Sequence, residues 1–285
     1  VGGPAGGGPA GGGPAGGGDG GRARDGLRIF CFGHFELWLG DQLVDLSPVK
    51  PRARSVLRLL AVGGGAPVHR DELIGALWPD DDQRGGTRNL QVAISSLRQL
   101  LDSLPGPRSG PDGRRAGGAA GHPGAGSASS GGPTLVARDG DAYRLAVGPD
   151  DTVDVAIFGR ALRAAGEARR RGDRAAEIAE GWVALGAYRG ELLMGAGSAD
   201  WVVERRERFR IAAAEVAQQL AAALLDAGDA AQAVVAAERG LSVDRFRDGL
   251  WRALVAALEA NGDRAAAAKA AIDYEAVLAE LGIVG

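Results

Sequence analysis

Five polar side chains in one short stretch have the types and the spacing that suit contact with DNA: Arg88, Asn89, Gln91, Ser95 and Arg98. No acidic residue lies between Arg84 and Gln99. Arginine, asparagine and glutamine carry donors and acceptors that match base edges in the major groove, and serine and arginine also suit phosphates. The pattern is equally that of an ordinary amphipathic helix with a solvated polar face. The stretch alone therefore leaves both interpretations open.

The elements around this stretch decide how its side chains would be presented. Its apolar residues fall at helical spacing, which predicts a helix over 85–102 with one buried face: Leu90, Ala93, Ile94, Leu97 and Leu101. A preceding helix, entered at about His69, has its own apolar face and is stopped by Pro79. After the stretch, two β-prone runs between 134 and 147 surround Asp139-Gly140, which is a strong hairpin signal.

The order of these elements predicts a winged helix-turn-helix. Residues 27–46 indicate a small antiparallel sheet. Ser47-Pro48 opens a first helix, whose apolar stripe runs through 54–62. The second and third helices and the hairpin then follow. In this layout the third helix enters the major groove and the hairpin wing lies over a neighbouring groove or the backbone. The DNA-binding interpretation of the polar face is favoured accordingly.

Charge is divided along the chain in a way that suits two different modules. The net charge is −3 over 285 residues. Residues 27–102 hold nine Lys/Arg and nine Asp/Glu, whereas residues 148–285 hold seventeen and twenty-two. A neutral front half and an acidic rear half are typical of a DNA reader joined to a module that does not bind DNA.

The rear half, from about residue 151, is rich in alanine, leucine and arginine and is predicted to be helical throughout. The junction LLDAGDAAQA at 224–233 recurs as LEANGDRAAA at 258–267, a shift of 34 residues, and RRGDRAAE at 170–177 is a looser echo. A 34-residue helix–turn–helix period indicates tetratricopeptide repeats, which present a groove to partners. A generic helical bundle is the alternative.

Several classes of function have no support in the residues. Phosphate-loop, HExxH and GxSxG motifs are absent, and the three histidines stand far apart, so we predict neither an enzyme nor a cofactor. The acids at 80–82 lack the glutamate that a calcium loop needs, and no metal site is predicted.

The single cysteine and the lack of a long apolar run favour a cytoplasmic protein away from the membrane. The first residue, Val1, fits either a GTG start or a truncation.

The predicted organisation is mainly α. A disordered Gly/Pro tail covers 1–26, a winged helix-turn-helix domain with a small β-sheet and wing hairpin covers 27–147, and an all-α, tetratricopeptide-like domain covers 150–285. Within the first domain, residues 103–132 form a predicted disordered insertion before the wing.

The two halves together resemble the Streptomyces antibiotic regulatory protein family. In the front half the resemblance rests on ALWPDDD, RNLQVAISSLRQLL and DAYRLAV. In the rear half it rests on VDVAIFGRAL, YRGELL, WVVERRERFR and AVLAELGIVG, which are similar to the bacterial transcriptional activation domain of that family. The resemblance implies an OmpR-type winged helix that binds direct repeats in promoters, as a homodimer on DNA, and recruits RNA polymerase.

The resemblance also implies roles for individual residues. The five polar residues named above would face DNA, and further basic residues would contact phosphate or belong to the wing: Lys50, Arg52, Arg138 and Arg144. The loop from Pro79 to Gly86 would contact polymerase through Asp80, Asp81, Asp82 and Arg84. The insertion at 103–132 is longer than the link usual in the family. A second hypothesis keeps the repeats as a protein-interaction scaffold and gives the winged helix no role in reading DNA.

Overall fold

The protein is described by a computed structural model that covers residues 26–103 and 135–283, with the side chains of Asp102 and Ser103 left aside. The predicted tail 1–26 and the predicted insertion 103–132 therefore lie almost wholly outside the described residues. No helix in the two described ranges is long and apolar enough to cross a membrane.

Three helices and a three-stranded sheet form the winged-helix part. Helices α1 (Pro51–Val62), α2 (Arg70–Leu77) and α3 (Gln83–Ser103) are followed by strands β5 (Val136–Asp139) and β6 (Ala142–Leu145). Strand β4 (Val68–His69) lies between α1 and α2 and pairs with β6, so the sheet has the order β4-β6-β5. The β5–β6 turn needs a left-handed residue, and Gly140 supplies it with φ 59°.

A second sheet joins the two ends of the winged-helix part. Strands β1 (Leu27–Phe30), β2 (Glu36–Leu39) and β3 (Gln42–Leu43) form an antiparallel meander, as the sequence predicts. Strand β7 (Thr152–Val153) pairs in parallel with β1 and leads directly into the helical half. The sheet order is thus β3-β2-β1-β7.

Six helices make up the described rear half: α4 (Asp154–Arg171), α5 (Arg174–Ala187), α6 (Asp200–Asp226), α7 (Ala230–Val243), α8 (Asp248–Ala260) and α9 (Arg264–Glu280). Each helix packs against the next, as in a stack of helical hairpins. Their contacts are made largely through buried alanines, including Ala217, Ala233 and Ala257. Small side chains let the helix axes approach closely and give the stack its continuous core.

The repeated Gly-Asp junction has one geometry in all three places. Gly172, Gly228 and Gly262 adopt positive φ angles of 71°, 79° and 82° just after a helix. The following aspartates, Asp173, Asp229 and Asp263, each accept a hydrogen bond from the backbone N–H three residues on, at 3.1, 3.1 and 2.9 Å. Glycine ends one helix in the left-handed conformation and aspartate caps the next. The looser echo at 170–177 is therefore structurally equivalent to the clear pair.

A continuous hydrophobic cluster runs from the winged helix into the rear half. Phe32, which follows β1, is fully buried and lies 5.5 Å from Phe158 of α4, 4.9 Å from Tyr188 and 5.2 Å from Phe209 of α6, measured between ring centroids. Such edge-to-face and tilted pairs bury large apolar areas in favourable geometry. The halves are joined by this core rather than by a linker alone.

The mainly α fold class is confirmed, with its winged helix, its wing and its helical rear half. The sequence misjudged the starts of two helices. The first helix was predicted to open at Ser47-Pro48, but α1 begins at Pro51. A loop was predicted from Pro79 to Gly86, but α3 begins at Gln83, so the second part of that loop is helical.

Candidate nucleic-acid interface

Helix α3 is held in place by its apolar face. Leu90, Ile94 and Leu97 are at most 3% exposed, and the helix packs on α1 and α2. The opposite face is open to solvent and includes Arg88, Gln91, Val92, Ser95 and Gln99. Because a helix with a buried stripe is fixed in rotation, these side chains project together from one surface.

The start of α3 is fixed by hydrogen bonding and close packing. The Oδ1 atom of Asp82 accepts the N–H of Gly85 at 2.7 Å, which caps the helix, and Gly86 is buried against α2. A Cβ atom on Gly86 would lie 2.4 Å from Cγ2 of Ile74. Gly86 therefore permits close contact between α3 and α2, although the sequence interpretation placed it at the end of the predicted loop.

Asn89 is exposed but already has a partner in the loop before the helix. Its Nδ2 atom donates to Oδ2 of Asp81 at 2.7 Å. Of the residues predicted to contact polymerase, Asp81 and Asp82 are thus engaged within the chain. Asp80 and Arg84 are exposed and have no hydrogen bond or ion pair among the described residues.

Arg98 points toward the wing. Its Nε and Nη2 atoms donate to the carbonyl oxygen of Val136 in β5, at 3.1 and 3.0 Å. The side chain is half-buried and thereby connects α3 to the hairpin. It is less exposed than Arg88 and Gln91, and its donors position the wing.

The wing has its own basic residues. Arg138 of β5 is exposed, and its Nε atom donates to the carbonyl of Gly140 at 2.8 Å, across the turn. Arg144 of β6 is half-buried.

Lys50 and Arg52 are exposed at the start of α1, where no acidic residue occupies the first turn. The structure thus brings Arg88, Gln91 and Ser95 together on one face, with the other basic residues on separate elements.

Val92 is an exposed side chain that the sequence interpretation passed over. It is 55% exposed and stands one helical turn from both Arg88 and Ser95. An apolar side chain among polar ones can contact the C5-methyl group of thymine in the major groove. Its position was readable from the sequence, because residue 92 falls on the polar stripe and off the apolar one.

Comparison with known proteins shows which domain families the chain matches. Residues 45–109 match the family model "Transcriptional regulatory protein, C terminal", and residues 153–283 match "Bacterial transcriptional activator domain". Mycobacterium tuberculosis EmbR, solved in complex with a low-affinity phosphopeptide, shares the fold at a TM-score of 0.63 and 20% identity. The match covers 92% of this chain and 61% of that chain, so this chain spans about three fifths of its length. No curated protein matches.

The two matched domains are those of transcription regulators with an OmpR-type winged helix. Their pairing and order, winged helix first and activator domain second, fit the Streptomyces antibiotic regulatory protein family. At the level of these domain families the chain is similar to DNA-binding transcriptional regulators.

Proposed function

We propose that the protein is a sequence-specific activator that binds direct repeats in promoters, as a homodimer, and recruits RNA polymerase. The observation that carries the proposal is the open face of α3. Arg88, Gln91, Val92 and Ser95 project from it without a neighbouring acid on that helix face, and the β5–β6 wing is tied to the same helix. This combination offers bidentate donors, a methyl contact and phosphate contacts to one major groove.

The four exposed residues have distinct roles in the proposal. Arg88 reads a guanine through O6 and N7, Gln91 reads an adenine, and Val92 packs against a thymine methyl group. Ser95 and the exposed cations at the start of α1 contact phosphates, which fix the register. Arg98 acts on the DNA contact indirectly by holding the wing. Asp80 and Arg84 are exposed beside this face, and we place the polymerase contact there.

Selection of random duplexes at two salt concentrations, with the whole chain, tests the proposal. We expect enrichment of a tandem motif and a steep loss of affinity as salt rises, since phosphate contacts release counterions. Arg88→Ala should weaken binding to that motif by about 1–3 kcal/mol and relax the preference at one base position. Arg252→Ala, an exposed arginine on α8, is the matched control and should bind as wild type does.

Transcription by purified bacterial RNA polymerase from a template carrying the motif tests the recruitment step. Wild type should raise the transcript level and Arg88→Ala should not. If no motif is enriched even at low salt, the DNA-reading proposal is wrong, and the helical-repeat scaffold becomes the better interpretation.

A further inference from the structure

The rear half contains a cavity that the DNA-binding surface does not use. It has a volume of about 690 Å³ and lies among the end of α5, the segment after it, α6 and α7. Cavities of roughly 300–1,000 Å³ are the size that takes small organic ligands. Its walls combine apolar residues with charged ones, the former including Leu185, Val203 and Val243.

Positive charge is in excess around the cavity. Four arginines and two glutamates line it. Both glutamates are neutralised within the protein: Glu207 lies 2.7 Å from Arg210, and Glu191 lies 3.1 Å from Arg206. Asp244, just outside the lining, is a second partner of Arg210 at 2.8 Å. Arg206 also donates to the carbonyl oxygens of Leu192, Leu193 and Gly197, so its donors are occupied.

The two remaining arginines, Arg189 and Arg239, form no salt bridge among the described residues, although the charge of Arg189 acts on the buried Asp154. Arg189 lies with its guanidinium carbon 3.8 Å from the centre of the Phe30 ring and makes no hydrogen bond there. Arg239 donates from Nη2 to the carbonyl of Leu185 at 3.1 Å, which leaves its Nε and Nη1 atoms available. Each guanidinium is thus held by one contact and keeps donors for a ligand.

From this arrangement we infer that the cavity binds a small amphipathic carboxylate, with its carboxylate on Arg189 and Arg239 and its apolar body against Leu185, Val203 and Val243. A guanidinium binds a carboxylate by two parallel, charge-assisted hydrogen bonds. Tyr188, which is buried at the edge of the same cavity, adds an aromatic wall.

The cavity lies beside the junction of the two halves. Gly33 donates to the carbonyl of Glu191 at 2.9 Å, and Leu193 and Met194 donate to the carbonyls of Cys31 and Gly33 at 2.7 Å each. A ligand in the cavity therefore contacts a segment that is hydrogen-bonded to the strand region after β1. Bound ligand should raise the melting temperature of the whole chain in a concentration-dependent manner, because it binds only the folded state.

Isothermal titration of the whole chain with naphthalene-2-carboxylate and with decanoate tests the inference. We expect saturable binding of one carboxylate per chain. Naphthalene-2-carboxamide, which has the same shape and no charge, should bind at least about tenfold more weakly, since charge-assisted hydrogen bonds are the stronger ones. The melting temperature should rise with the carboxylate and not with the amide.

Variants separate this cavity from other basic surfaces. Arg189→Gln and Arg239→Gln should each weaken carboxylate binding by roughly tenfold or more. Both side chains are exposed, so the fold should be retained, and circular dichroism checks this. Arg160→Gln makes the same charge change on α4, where Arg160 is exposed, and should bind as wild type does.

The inference is overturned if neither carboxylate gives saturable binding or if carboxylate and amide bind alike. It is also overturned if the two cavity variants bind the carboxylate as tightly as Arg160→Gln does. None of these outcomes depends on DNA binding.

Discussion

Asp154 is one of two buried carboxylates in the described part of the chain, and it connects the first strand to the rear half. Its oxygens accept the backbone N–H groups of Cys31 and Phe32 at 2.9 Å and that of Val155 at 2.7 Å. Burial raises the pKa of Asp154 above its ordinary value of 3.8, although these three backbone amides and the charge of Arg189 act in the opposite direction. Desolvation of the charged form therefore outweighs the hydrogen bonds that favour it.

We predict that Asp154→Asn lowers the free energy of unfolding by about 1–3 kcal/mol at neutral pH, because an amide nitrogen would face backbone donors and leave one unpaired. Urea unfolding measures the change, with Asp150→Asn, an exposed acid in the preceding turn, as control.

The difference in the free energy of unfolding between wild type and Asp154→Asn should change with pH in one direction. The pKa of Asp154 is higher in the folded state than its ordinary value of 3.8. Titration of Asp154 therefore adds to the free energy of unfolding in full below pH 3.8, and this addition is lost as the pH rises through the folded-state pKa. The asparagine variant does not titrate, so the gap between wild type and Asp154→Asn should narrow as the pH rises from about 3.8 to 7. A gap that widens over this range would contradict the assigned direction of the shift.

At the scale of elements, the wing depends on a helix that precedes it by more than thirty residues. Arg98 supplies two hydrogen bonds from α3 to β5. We predict that Arg98→Gln costs about 1 kcal/mol of stability and raises amide hydrogen exchange in β5 and β6. Arg84→Gln, exposed on the same helix, should leave the exchange of the hairpin unchanged. If hydrogen exchange in the hairpin of Arg98→Gln is unchanged, Arg98 does not hold the wing, and direct contact with DNA becomes the better explanation of its role.

The elements that sequence predicted well are those with local causes. The apolar stripe of α3, the Gly-Asp junctions and the Asp139-Gly140 turn all follow from periodicity, a cap or a backbone conformation within a few residues. The partner of Arg98, the tight packing of Gly86 on Ile74 and the pairing of β7 with β1 depend on residues distant in sequence. Such contacts are set by tertiary packing, which no local pattern encodes.

At the scale of the whole molecule, the aromatic cluster around Phe32 decides whether the two halves unfold together. Phe32 follows β1, whereas its neighbours Phe158, Tyr188 and Phe209 belong to the rear half. An ion pair of 2.6 Å between Arg205 of α6 and Glu72 of α2 adds a second connection, but it is partly exposed. Exposed pairs contribute on the order of 0–1 kcal/mol, so the buried aromatic core holds the halves together more strongly than this ion pair does.

We therefore predict that Phe32→Ala lowers the free energy of unfolding by about 3–5 kcal/mol, the usual cost of emptying a buried phenylalanine site. Unfolding by urea, followed by far-UV circular dichroism and by tryptophan fluorescence, should give coincident transitions in wild type. The variant should unfold at lower urea and in two steps, because the rear half keeps its own alanine-lined core when the junction is lost. Phe246→Ala is the matched control, since Phe246 is 45% exposed and its loss should change stability by no more than about 0.5 kcal/mol. Coincident transitions in Phe32→Ala at the wild-type midpoint would show that the halves are coupled by other contacts.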